Sequence, residues 1–235
     1  MGSELCIRDR YTITEPTALA LSETISQHNG FNITCNGAND ATIDITVSGG
    51  TSVYTYSWTT VGGSGLNLTA EDQTGLGPGT YTVVATDQNS CTISKTYTIT
   101  EPDALSLSST KVDFNGFNVS CFGGINGEID LTVTGGTPAT TGYVYDWNNG
   151  GFADEDLADI PSGTYAVLVT DSLLCSDSLT ITLTQPLAPI DIEFDILNVS
   201  CFGDSTGTVS ATISGGTVPY TWSWDIPITD TILFI

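Results

Sequence analysis

The amino-acid sequence predicts an all-β fold of tandem antiparallel β-sandwich modules, and three observations carry that prediction. A cysteine-bearing segment returns three times at almost equal steps. A strand of strict apolar–polar alternation follows it each time. Elsewhere Gly, Pro and Thr interrupt every window, so no stretch keeps the 3.6-residue apolar period of a helix.

The elements follow in chain order. The recurring segment reads Phe31-Asn-Ile-Thr-Cys35, Phe117-Asn-Val-Ser-Cys121 and Leu197-Asn-Val-Ser-Cys201, with cysteine steps of 86 and 80 residues. The alternating strand then ends on Gly-Gly-Thr: Ile43, Ile45 and Val47 precede Gly49, Ile129, Leu131 and Val133 precede Gly135, and Val209, Ala211 and Ile213 precede Gly215. Period two buries one face and wets the other. The polar partners Thr42, Asp44, Thr46 and Ser48, with Glu128, Asp130, Thr132 and Thr134 in the second copy, fix the register. An aromatic strand comes next, as Tyr54-Thr-Tyr56-Ser-Trp58, Tyr143-Val-Tyr145-Asp-Trp147 and Tyr220-Thr-Trp222-Ser-Trp224, its rings on one face. Two further strands complete each unit: one begins at Gly79-Thr-Tyr81 or Gly163-Thr-Tyr165, the other at Cys91 or Cys175.

Units close on Thr-Glu-Pro or Thr-Gln-Pro, at Pro16, Pro102 and Pro186. Proline cannot donate to a central ladder, so a module boundary belongs there. The division is residues 1–17 as the closing strand (Tyr11 to Pro16) of a preceding repeat, 18–103 and 104–188 as two complete sandwiches, and 189–235 as the N-terminal half of a third. With few residues between modules, the array is expected to be semi-rigid. The first residues lack the basic-then-apolar pattern of a secretory leader, and a chain that starts and stops in mid-module reads as a piece of a longer protein.

Six cysteines permit 15 pairings, and the repeat narrows them, since equivalent residues should make equivalent bonds. The expectation is Cys35 with Cys91 and Cys121 with Cys175, each closing a loop worth about 4 kcal/mol in the chain-entropy model. Cys6 and Cys201 are then left for a neighbouring repeat or chain. A metal site is the weaker alternative, because there is no Cys-x-x-Cys pair and His28 is the one histidine. Disulfides place the chain in an oxidising, extracytoplasmic compartment.

Four basic residues against 27 acidic ones give a formal charge of −23, which repels nucleic-acid phosphates and anionic membrane surfaces alike. No run of 18 apolar residues offers a membrane span. There is no Gly-x-Ser-x-Gly elbow and no phosphate loop, and no carboxylate pair stands at a distinguishing spacing, so no enzymatic activity is expected.

Residues 118–138, Asn-Val-Ser-Cys-Phe-Gly-Gly-x-Asn-Gly-x-Ile-Asp-Leu-Thr-Val-Thr-Gly-Gly-Thr-Pro, resemble the SprB repeat. The likeness continues through Tyr-x-Trp, Leu-x-x-Ile-Pro-Ser-Gly-Thr-Tyr at 157–165, Thr-Asp, Cys and the closing Thr-Gln-Pro, and it recurs over nearly the whole chain until residues 225–235 depart from it. The resemblance implies a stalk or adhesin segment at the cell surface, of the kind found in very large surface proteins of Bacteroidota, whose namesake is the mobile adhesin of gliding motility. It also makes Asp-Ser or Asp-Thr followed by an apolar residue or Thr the relevant O-glycosylation pattern, met at Ser172, Ser178, Ser205 and Thr231.

Other residues invite a functional reading beside a plainer one. The aromatic strand could be a sugar-stacking platform, but at a two-residue period it reads first as sandwich core. Tyr81 and Tyr165 follow a Gly-Thr pattern like the tyrosine corner of immunoglobulin-like sandwiches, and are expected to be structural. Asp87, Asn89, Glu101 and Asp103 near the junctions could collect Ca2+, though solvated acids explain them more simply, and no other cofactor is implied. Asn32, Asn67, Asn118 and Asn198 begin Asn-x-Ser/Thr triplets, three of them on the segment before a cysteine, read here as a strand.

The functional expectation is an extended rod or filament, with neighbouring repeats or identical chains head to tail as partners. A carbohydrate-binding array touching surface polysaccharide is the first rival, and it requires exposed Trp58, Trp147 and Trp224. The second rival is a fibre subunit completed by strand donation between chains, with Cys201 bonded to Cys6 in trans.

Overall fold

The computed structural model describes residues 11–147, 152–203 and 206–223. It divides into two compact units, Met1–Ala104 with Gly135–Thr137, and Leu105–Thr134 with Pro138–Ile235. The described residues form strands and turns and no helix.

In the first unit β1 (Ala20–Ile25), β2 (Ala41–Ser48), β3 (Thr55–Val61), β4 (Gln73–Leu76), β5 (Gly79–Thr86) and β6 (Thr92–Ile99) make two antiparallel sheets, ordered β1-β2-β4 and β3-β5-β6. The sheets share one core. Ile43 and Ile45 of β2 and Leu76 of β4 meet Trp58 of β3, Tyr81 and Val83 of β5, and Tyr97 and Ile99 of β6. In β2 the buried residues Ala41, Ile43, Ile45 and Val47 alternate with wetter ones, as period two demands. Lys95 of β6 pairs with Glu23 of β1 at 2.5 Å along one open side.

In the second unit β7 (Ser106–Lys111), β8 (Gly127–Thr134), β9 (Val144–Trp147), β10 (Leu157–Ile160), β11 (Gly163–Thr170) and β12 (Ser176–Leu183) repeat the plan as β10-β8-β7 and β12-β11-β9. Its core sets Ile129 and Leu131 against Trp147, Tyr165, Val167, Val169 and Ile181. Lys111 Nζ donates to Thr182 O at 3.0 Å where the first unit has its ion pair. The third copy is described as one hairpin, β13 (Asp191–Leu197) with β14 (Thr208–Ser214), whose Ile192, Phe194 and Ile196 are about half exposed.

Among the described residues each module thus has six strands, four that the sequence reading assigned and two that it did not. The additions are β1 and β4 in the first unit and β7 and β10 in the second. β4 and β10 join their neighbours through a register shift, where the Asp72 carboxylate accepts the Ile45 N–H at 2.9 Å and Asp156 does the same for Leu131. Phe31–Cys35 and Phe117–Cys121 are not strands. Single bridges, His28 with Phe31 and Phe114 with Phe117, lead into bends held by side chains. Tyr11–Pro16 forms no strand either: a ladder needs a neighbour, and no described strand pairs with this segment.

Candidate functional site

The polar devices of the module gather at its two ends. The entry pole receives the incoming chain on the Gly-Gly pair that ends β2. Gly49 and Gly50 have φ of 79° and 59°, and a Cβ on Gly49 would lie 2.0 Å from Ala18 O. Gly50 N donates to Thr17 O at 2.7 Å. The same bond recurs from Gly136 to Asp103 O at 2.8 Å and from Gly216 to Ala188 O at 2.9 Å, and a Cβ on Gly135 or Gly215 would strike Ala104 O or Pro189 O. Glycine is required by the closeness of another main chain as well as by the turn.

Beside this pair stands the β5–β6 hairpin. Asp87, 5% exposed, accepts N–H bonds from Thr51 (2.9 Å), Asn89 (2.9 Å) and Cys91 (2.8 Å). These bonds, the Thr51 N–H foremost, hold its carboxyl below the usual range against the opposing cost of burial. The β11–β12 hairpin repeats the turn, with Asp171 accepting from Leu173 and Cys175 at 2.9 Å each and Leu174 taking the positive φ that Ser90 takes in the first copy. A cleft of about 320 Å³ opens here, lined by Glu15, Pro16, Leu19, Asp87, Cys91 and Ile93 among others.

The exit pole is built on an asparagine clamp. Asn32 Nδ2 donates to Ser26 O at 3.0 Å, while Oδ1 accepts from Thr100 N and Oγ1 at 2.9 and 3.0 Å. Asn118 copies this with Val112 and Thr184. Glu101 then accepts the Gly37 N–H at 2.6 Å and Gln185 accepts the Gly123 N–H at 2.9 Å, so the variable Glu/Gln before each proline serves as one oxygen acceptor. Cys35 and Cys121 lie within these bends.

The predicted site residues fall into place around the poles. Asp87 and Asn89 stand at entry and Glu101 at exit, separated by the length of β6, so these candidates for Ca2+ are not brought together; the described residues hold no cluster of three metal-ligating side chains. Trp58 and Trp147 are 1% and 2% exposed, their indole N–H groups donating to Ala70 O and Asp154 O, so they are core; Trp224 lies outside the described residues. Tyr81 and Tyr165 make the expected corners, to Gly77 O and Pro161 O at 2.8 Å each. The amides of Asn32 and Asn118 are engaged as structural parts, Asn67 caps its own loop by accepting the Thr69 N–H, and Asn198 is exposed. Ser172 and Ser178 are exposed, while Ser205, Thr231 and the departing residues 225–235 lie outside the described residues.

The cysteine pairing is corrected. Cys35 and Cys175 are disulfide-bonded, and Cys91, Cys121 and Cys201 are exposed free thiols, so neither Cys35–Cys91 nor Cys121–Cys175 exists. The reason is distance. Cys91 precedes β6 and Cys35 sits beside its far end, where Asn32 and Ile33 donate to Thr100 O. Cys6 lies outside the described residues. The clamp itself could have been suspected from the asparagine three residues before Cys35 and again before Cys121.

No curated protein matches the sequence. The family model of the SprB repeat matches residues 31–63, 117–152 and 194–226. In the first two copies the matched segments hold the clamp asparagine, the alternating strand, the Gly-Gly pair and the aromatic strand, and in the third they hold β14 with its Gly-Gly pair, so these three segments are similar to the SprB repeat.

Proposed function

We propose that the chain is a non-catalytic structural segment of a cell-surface protein, an extended rod that holds other parts of the molecule away from the cell. SprB repeats occur in cell-surface proteins, and no described helix is long and apolar enough to cross a membrane. The observation that carries the reading is the placement of the repeated polar machinery. Clamp, Gly-Gly pair and aspartate turn all serve the ends of a module, where chain enters and leaves, while its aromatic strand is spent on the core. The buried Trp58 and Trp147 favour this over a sugar-stacking array.

Small-angle scattering tests it. A compact body of this length has a radius of gyration of about 17–18 Å, and the rod predicts a value well above that, with scattering that is independent of protein concentration. A value near the compact one overturns the rod. Saturable quenching of tryptophan fluorescence by a surface polysaccharide would favour the carbohydrate-binding reading instead.

A further inference from the structure

We infer that each complete module is built to withstand tension along the chain, and that the asparagine clamp is the lock that must break before the module unfolds under load. The inference rests on the rod reading above, in which a pulling force passes along the main chain from repeat to repeat.

The strand directions decide how such a force acts. β1 starts at the entry pole, where Ala20 pairs with Ser48 beside Gly49, and runs to Ile25. β6 starts beside the Asp87 turn, where Thr92 pairs with Thr86, and runs to Ile99 at the exit pole. The first and last strands of the module therefore run the same way, and the chain enters at one pole and leaves at the other. Tension draws β1 toward the entry pole and β6 toward the exit pole, each along its own axis. Ladder hydrogen bonds lie across that axis, so the six register pairs of β1 with β2 and the eight of β6 with β5 are loaded together instead of being peeled apart in turn. Lys95 ties the two oppositely drawn strands to each other through Glu23. The second unit repeats the plan, with six pairs of β7 on β8, eight of β12 on β11, and Lys111 tying β7 to Thr182 of β12.

The clamp stands where the force leaves. Thr100 O accepts from Asn32 N at 3.0 Å and Ile33 N at 3.2 Å, while Asn32 Oδ1 accepts from Thr100 N and Oγ1. Glu101 accepts the Gly37 N–H, and Pro102 O accepts from Asn36 Nδ2 at 3.0 Å. These six bonds on three successive residues pin the chain just past β6, so the strand cannot be drawn out until they give. In the second unit Thr184 O accepts from Asn118 N and Val119 N at 2.9 Å each, Asn118 Oδ1 accepts from Thr184 N and Oγ1, and Gln185 accepts from Gly123 N.

The experiment is single-molecule stretching of the full chain from its two termini, in reducing buffer so that no disulfide limits the extension, beside urea unfolding of the same variants. Forced unfolding reports the unfolding rate and urea the equilibrium stability, so the two readouts separate a lock from an ordinary stabilising contact. The parent should give two resolved force peaks, one per complete module. Asn32→Ala should at least halve the force of one peak and spare the other, Asn118→Ala should do the same for the other module, and the double variant should lower both. Tyr81→Phe, which breaks the corner to Gly77 O outside the two pulled strands, should cost stability in urea and leave the force of its peak near the parent's. Should Asn32→Ala fail to fold, Thr100→Val, which removes only the Oγ1 donor, should still lower that peak. Unfolding without resolved peaks, or forces that fall in proportion to urea stability in clamp and corner variants alike, overturns the inference. A compact radius of gyration refutes the rod without changing these forces, so the two failures are told apart.

Discussion

Asn32 is 7% exposed and both ends of its amide are engaged, so removing it strands a carbonyl at Ser26 and the amide and hydroxyl of Thr100. Asn32→Ala should lower the stability of the first module by about 2–3 kcal/mol in urea unfolding, and a glycan on this nitrogen would break the same clamp. Tyr97 is the opposite case. Its ring lies 6.1 Å from Trp58 in the core, but its buried hydroxyl has no hydrogen-bond partner. Burial first, and the charge of Glu23 second, push its pKa up to about 12. The unfolded phenol titrates near 10. The neutral side chain therefore adds stability that is fully present below about pH 10 and is lost as the pH climbs toward 12. Tyr97→Phe should leave stability at pH 7 within about 1 kcal/mol of the parent and soften the alkaline fall, with Tyr145, likewise pushed up to about 12 by burial and Glu155, sustaining what is left of it.

At the scale of the element, the Gly-Gly pair decides whether β2 can end beneath an incoming chain. Gly49→Ala forces a Cβ against Ala18 O and a left-handed φ on an L-residue. A loss of at least 2 kcal/mol is expected, read as a lowered denaturation midpoint, whereas Thr46→Ser on the exposed face of β2 should change little. The alternating strands were legible in the sequence because period-two polarity is the direct image of one-sided burial, and Ile43, Ile45, Ile129 and Leu131 lie where it puts them. β4 and β10 were not legible. Each has four residues, a register shift and hydrophobic anchors only at or near its ends, so no alternation develops. β1 and β7 bury none of their residues fully, which blurs their pattern too. The cysteine pairing failed for another reason. Translational repetition says which cysteines are alike, not which are joined.

Across the whole molecule the formal charge of −23 is a standing repulsion, answered in the described residues by the single ion pair of Lys95 with Glu23. Raising salt from about 0.01 to about 1 M contracts the screening length from about 30 to about 3 Å. The unfolding midpoint should rise with added sodium chloride, since relief of the net repulsion outweighs one weakened, partly exposed pair. A flat or falling midpoint would mean the acidic residues are too dispersed to matter. The entry-pole contact adds a consequence for heredity. Gly50, Gly136 and Gly216 each read the incoming chain through a main-chain carbonyl, from Thr17, Asp103 and Ala188 in turn. A contact that reads only backbone atoms accepts whatever side chains precede it. Unequal recombination can then add or delete a whole repeat without compensating substitutions at that contact, so copy number can be set by gene length alone.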